Sequence, residues 1–335
     1  MASVLWDTTG SDIVHALLAE RRAAGALASG LALTLITVVD EKHVREAEEA
    51  ATLAAAAHPC RLLIVVRRSI ETDNRLDAEV QVGGRLGPTE AVVMRMYGRL
   101  TLHAESVVLP LLAPDAPVVT WWHGAPPDEI KTDALGVLAN RRVTDCALAD
   151  DPLAALRQRA VDFAFGDTDL AWTRTTPWRS LLASALDAVD AEPSEARVSC
   201  QAGNPSAILL AGWLGERLGL EVTIEDSPGP GITEVEIAAK RSEGESYDVK
   251  ITRPDGRMAV LTRTGEPDRA LPLARRGLGD LLAEELRRMD PDYVYAESLA
   301  KATGESGLEN RPAVRTHEWR DPAWSGSNGS ASRST

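Results

Sequence analysis

The chain has 335 residues, a hydrophobic fraction of 44% and a charged fraction of 26%, enough for two ordinary domains that bury their own cores without metal or disulfide support. A formal net charge of -14 repels phosphate backbones, which argues against a nucleic-acid partner. No basic segment followed by an apolar stretch opens the chain and no apolar run reaches membrane-spanning length, so the expectation is a cytoplasmic protein without membrane attachment.

A short strand at Val4-Leu5-Trp6 leads to Asp7 or Thr8 as a helix cap, and Ile13, Val14, Leu17 and Leu18 then recur at helical spacing. Leu31 to Val39 is a β-rich run, Glu41 to Ala57 an alanine-rich helix, and Leu62 to Val66 a continuous apolar strand of the fully buried kind. This β-α-β-α-β order predicts a mainly parallel sheet. Ala78 to Val82 and Ala91 to Tyr97, separated by Gly83, Gly84, Gly87 and Pro88, read as an antiparallel pair that makes the sheet mixed. Further apolar runs at Val107 to Leu112 and Val118 to Trp122 precede Asp151-Pro152, a cap with proline at the first helical position.

The fold class expected is therefore α/β: an N-terminal mixed, mainly parallel sheet with flanking helices over residues 1–165, followed by a smaller α+β C-terminal domain over 166–302. The second domain begins with a Trp/Arg-rich connecting segment, Gly166 to Arg179. After it come a helix through Leu181, Leu182 and Leu186, a strand (Arg197 to Gln201), a helix (Pro205 to Leu218), a strand (Leu220 to Glu225) and three or four short strands between Ile232 and Leu273. Leu278, Leu281, Leu282 and Leu286 mark a closing helix, and Asp290-Pro291 starts the last one. Residues 303–335 are sparse in apolar side chains and read as a disordered tail.

No lysine follows a glycine, which excludes the P-loop element. Gly277-Leu278-Gly279 opens like a dinucleotide fingerprint, but Leu282 stands at the third glycine position. The histidines lack metal-ligand spacing, no nucleophile elbow is present, and Cys60, Cys146 and Cys200 form no C-x-x-C pair. The expectation is no catalytic residue, no metal and no cofactor. Asn204-Pro205-Ser206 at a strand-to-helix turn offers free N–H groups to a phosphate, although a plain N-cap explains the same residues.

Eight tryptophans stand beside only two phenylalanines, so tryptophan carries most of the large-aromatic role. Trp121, Trp122, Trp172 and Trp178, accompanied by Arg141, Arg142, Arg174 and Arg179, are candidate partner-binding residues, because Trp and Arg anchor interfaces more often than other types. The competing reading buries the same residues at the junction of two domains.

Several stretches together resemble one family, the bacterial glucose-6-phosphate dehydrogenase assembly proteins (OpcA). They are Leu5-Trp6-Asp7-Thr8-Thr9, His58-Pro59-Cys60-Arg61, Asn74-Arg75-Leu76-Asp77-Ala78, Val107 to Leu112 with Asp115-Ala116-Pro117 and Trp121-Trp122, Arg141 to Asp145, Gly166 to Arg174, Pro177-Trp178-Arg179 and Asp290 to Tyr295. The resemblance implies a non-catalytic factor that binds glucose-6-phosphate dehydrogenase, promotes its active oligomer and raises NADPH supply in the oxidative pentose phosphate pathway. It also implies redox control through cysteines in some members, for which these three separated cysteines offer no pair. The alternative is a sugar-phosphate sensor or enzyme at the carboxyl ends of the first sheet, with Arg61 and Arg141 clamping a phosphate.

Overall fold

The computed structural model describes residues 2–25, 31–83, 90–187, 191–241 and 244–312. In chain order the first part holds β1 (Ala2–Leu5), α1 (Gly10–Ala23), β2 (Leu33–Val39), α2 (Val44–Ala57), β3 (Cys60–Arg67), β4 (Arg75–Val82) and β5 (Glu90–Tyr97). It continues with α3 (Ala104–Val108), β6 (Val118–His123), α4 (Ala134–Leu138), β7 (Arg141–Thr144), α5 (Pro152–Asp162) and β8 (Asp167–Asp169). These strands make one eight-stranded sheet ordered β1-β4-β5-β3-β2-β6-β7-β8, in which only β4 runs against the others. Both faces of the centre are covered, which is why β3 reads as an unbroken apolar run and is buried from Cys60 to Val66. The parallel order reverses direction at β2, so β2 and β6 flank a topological switch point.

The chain then forms α6 (Leu170–Thr173), α7 (Thr176–Leu186), β9 (Glu192–Cys200), α8 (Pro205–Leu218), β10 (Val222–Asp226), β11 (Ile232–Lys240), β12 (Ser246–Thr252), β13 (Met258–Arg263) and β14 (Arg269–Pro272). The second sheet is ordered β10-β9-β11-β12-β13-β14; β9 and β10 are parallel across α8 and every other pair is antiparallel. Alternation sets its buried face: Val235, Ile237 and Ala239 on β11 and Tyr247, Val249 and Ile251 on β12 pack with Trp178 and Leu182 of α7 and Leu210 and Leu214 of α8. The chain continues through α9 (Leu278–Glu285) and α10 (Tyr293–Thr303).

Three expectations change. Gly166 to Arg179 is not a linker: Asp167–Asp169 is the last strand of the first sheet, and Leu170–Thr173 a helix turn against it. Helix α9 does not close the second sheet but returns to the first, where Leu281, Leu282 and Leu286 join the core beneath α2. Burying three leucines there is worth roughly 1.5–3 kcal/mol each. Gly279 explains the fingerprint-like glycines, because a Cβ at that position would lie 2.9 Å from Leu53 Cβ and 3.0 Å from the Ala50 carbonyl, so α2 and α9 cross at backbone distance. Finally, residues 303–312 are packed rather than disordered: Leu308 is fully buried, and Arg311 Nη1 donates to the carbonyls of Ala160 and Val161. Residues 313–335, with Trp319 and Trp324, lie outside the described residues. The helix caps are Thr9 for α1 and Asp292 for α10, one or two residues beyond those expected.

Candidate functional site

Most of the Trp/Arg set lies inside the protein. Trp121, Trp122, Trp172 and Trp178 are each at most 2% exposed, and Arg141 and Arg142 at most 3%. The expectation of an exposed docking set is therefore corrected for these six, which do what the competing reading assigns: they build the junction between the sheets. Arg141 on β7 donates Nε and Nη2 to Glu285 of α9 and Nη1 to the Asp290 carbonyl, while Glu285 also accepts the Thr173 hydroxyl at 2.6 Å. Arg142 pairs with Asp167 and reaches the Phe165 carbonyl at 2.7 Å. Asp169, fully buried, accepts from the Thr144 hydroxyl and from the N–H groups of Cys146 and Ala171.

Trp172 donates its indole N–H to Asp292 at 2.9 Å and lies under the Arg179 guanidinium, 3.6 Å from ring centroid to carbon. Arg179 is half-buried, holds the hydroxyls of Thr175 and Thr176, and is pushed down to about 10 by burial. Arg174 makes a two-pronged bridge to Asp145, 2.7 Å on both arms, yet burial still raises the Asp145 carboxyl above its ordinary value. The network joins β7, β8, α6, α9 and α10, and its buried charges are satisfied pairwise, the condition for tolerating them in an interior.

The phosphate-clamp reading is corrected as well. Arg61 begins β3 and Arg141 begins β7, so both lie at the amino ends of parallel strands, opposite the end where such sheets bind ligands. Arg61 is occupied by Glu90 and the Leu111 carbonyl. At the switch point itself, β2 runs into Asp40-Glu41-Lys42-His43 before α2, with no glycine between Leu31 and Ala57. A dinucleotide needs backbone N–H groups exposed by glycines and no carboxylate at that helix start, so these residues do not fit one. Beside them His123, buried and 3.6 Å from Glu46, is held below the ordinary histidine value by burial.

A different Trp/Arg group reaches solvent at the carboxyl-end rim of the first sheet. Trp6, which follows β1, is 70% exposed, and the Arg75 guanidinium lies 5.9 Å from its ring and 5.3 Å from the Tyr97 ring; Arg68 covers Tyr97 from 5.7 Å. Arg75 is aimed by a two-pronged bridge to Asp77, whose carboxyl that bond lowers and which also accepts the Asp7 N–H at 3.0 Å. Register brings these residues together: Arg75 starts the reversed strand β4 directly opposite Tyr97 at the end of β5, and Leu5 on β1 pairs with Ala78. Two concavities open along the rim, one of about 450 Å³ bordered by Thr9, Asn74, Arg75 and Ser106, the other of about 400 Å³ bordered by Glu41, Arg67, Arg68 and Tyr97. Sequence reasoning passed over this group because Trp6 sits alone; its signal was that Trp6 and Arg75 each lie in a family-like stretch and at a strand end.

Asn204 is the cap of α8, accepting the Ala207 N–H at 2.9 Å, and Ser206 stands in the first helical turn beside a cleft between the two sheets. Cys60, Cys146 and Cys200 are free and buried, and burial pushes the Cys60 thiol up to about 12. No group of metal-ligating side chains occurs among the described residues, and no helix there is long and apolar enough to cross a membrane.

Residues 51–161 match the family model for the N-terminal domain of the glucose-6-phosphate dehydrogenase subunit, and residues 165–299 match the model for the C-terminal domain of that same protein. A relative from Synechocystis sp., named putative OxPP cycle protein OpcA, is 26% identical over 251 residues, covering 69% of this chain and 49% of its own length. The chain thus spans about half of that relative. Among solved structures, an NAD binding oxidoreductase from Klebsiella pneumoniae is similar with a TM-score of 0.42 at 10% identity, covering 81% of this chain and 94% of that one. An oxidoreductase from Sinorhizobium meliloti follows at a TM-score of 0.35 and 12% identity, covering 84% of this chain and 92% of that one.

Proposed function

The chain belongs to the OpcA family of glucose-6-phosphate dehydrogenase assembly proteins, and from that premise we propose that it binds the dehydrogenase and favours its active oligomer without catalysing a reaction itself. The observation that carries the reading is the exposed rim of Trp6, Arg75, Tyr97 and Arg68. A tryptophan left 70% in solvent is a large apolar surface without an internal use, and the arginines stacked beside it are held in place before any partner arrives. The mechanism is linkage: a protein that binds the active dehydrogenase state more tightly than the inactive one shifts the balance by the difference. A difference of about 1–3 kcal/mol moves substrate affinity or active population roughly 5- to 150-fold. The activity would operate in the cytoplasm and serve NADPH supply.

The test is the glucose 6-phosphate saturation curve of the cognate dehydrogenase with and without this protein, alongside size-exclusion chromatography of the mixture. Co-elution in a larger species with a lowered half-saturation or a raised maximal rate is the expected result. Separate elution with an unchanged curve would refute the proposal.

A further inference from the structure

Between the two sheets lies a cleft of about 350 Å³ that the partner-binding reading does not use. Its floor is the start of the 14-residue helix α8, where the cap residue Asn204 serves the Ala207 N–H and Pro205 has none to offer. The N–H of Ser206, in the first turn, has no acceptor within the helix, and the dipole leaves partial positive charge there. Ser206 is only 6% exposed, lines the cleft, and its hydroxyl has no hydrogen-bond partner among the described residues.

Four arginines border the same space. Two are neutralised: Arg174 by Asp145 and Arg276 by Glu284. The other two, Arg253 and Arg275, have no carboxylate partner among the described residues, although the chain carries 50 acidic residues against 36 basic ones. Arg253 reaches only the Ile232 carbonyl, keeps a buried Nε without a partner, and is positioned 5.1 Å above the Trp178 ring. Burial, and then Arg275, push Arg253 down to about 10, the direction expected of a cation short of counter-charge. Gly231 holds the gap open: a Cβ there would come 3.5 Å from Arg253 Nη2 and 3.9 Å from Asn204 Nδ2. The opposite wall is apolar, with Leu148 and Leu281 contributed by the first sheet's side of the junction.

We propose that this cleft binds a small phosphomonoester, its phosphate between Ser206 and the guanidiniums of Arg253 and Arg275 and its organic body against Leu148 and Leu281. A helix start, an unpartnered buried hydroxyl and two unpaired guanidiniums supply donors to a dianion from three directions, and the apolar wall favours an ester over the bare ion. Because the walls come from both sheets, an occupied site holds the two parts of the molecule together.

The test uses the full chain without any partner, so its outcome is separate from that of dehydrogenase binding. Calorimetry and thermal shift are run at matched ionic strength with glucose 6-phosphate and AMP, with glucose and adenosine as their phosphate-free counterparts, and with inorganic phosphate. The expected result is saturable binding of at least one ester, none of its counterpart, and weaker binding of inorganic phosphate. Arg275→Gln, at an exposed residue that leaves folding intact, and Ser206→Asp, which puts a carboxylate into the floor, each weaken binding about 10- to 100-fold. Absence of saturable binding, equal affinity for inorganic phosphate and the esters, or unchanged affinity in Arg275→Gln would each overturn the proposal.

Discussion

Replacing Trp6 and Trp172 by alanine separates the two roles that tryptophan plays in this chain. Trp6 is 70% exposed, so a partner that covers it removes up to about 175 Å² of a side chain of about 250 Å², worth at most about 4 kcal/mol at about 25 cal/mol per Å². Interface anchors of this kind cost at least about 2 kcal/mol on truncation, so Trp6→Ala should raise the dissociation constant for the dehydrogenase by roughly 30-fold or more. The fold loses only the contact with Arg75, about 0.5–1 kcal/mol. Trp172→Ala should do the opposite, losing about 3–5 kcal/mol of stability from a ring 1% exposed and stranding the Asp292 acceptor. Calorimetric titration against the dehydrogenase and urea unfolding of both variants read the two effects. Unchanged affinity in Trp6→Ala would refute the rim as interface, and a parental urea midpoint in Trp172→Ala would refute the junction as structural core.

Arg141→Met should lose about 3–5 kcal/mol in urea unfolding because it leaves Glu285 charged and buried with one hydroxyl, and adding Glu285→Gln should recover part of that loss; an additive double variant would show that the pair is uncoupled. Gly279→Ala gains helix propensity but drives a methyl group into Leu53 and the Ala50 carbonyl, so a net loss of about 1–2 kcal/mol is expected, and a rise in melting temperature would contradict the close α2–α9 crossing. His123, near Glu46 and His43, is kept neutral in the folded chain, whereas the unfolded chain takes up a proton below about 6.5. Stability should therefore fall as pH drops from 7 toward the depressed folded value, and His123→Phe should flatten that part of the profile; an identical acid limb in both proteins would exclude His123 as its source.

The order of strands and helices was legible because each signal was local. Asp151-Pro152 and Asn204-Pro205 cap and start helices by their own chemistry, and the alternation between Ile232 and Leu273 follows from one wet and one buried face. What misled was polarity out of context. Asp167-Thr168-Asp169 reads as a loop, yet it is a buried strand whose carboxylates are met by Arg142, by a hydroxyl and by N–H groups distant in sequence. Likewise, the leucine stripe of α9 announces an apolar face without naming the sheet that receives it, since the partner helix α2 lies more than two hundred residues earlier. The tryptophans misdirected for the same reason: sequence shows a large ring beside arginines, but only the fold tells an inward stack such as Trp172–Arg179 from an outward one such as Trp6–Arg75.

The return of α9 to the first sheet makes the second sheet an insertion, with the peptide chain leaving the first body after β8 and coming back before it is complete. On a ribosome, the face of α2 that Leu281, Leu282 and Leu286 cover stays bare until the whole second sheet has been synthesised. A fragment ending at residue 165 would consequently expose that face for good, and self-association is its expected fate. Two covalent crossings also limit how the halves can move, permitting a twist about the paired strands of chain more readily than a wide parting.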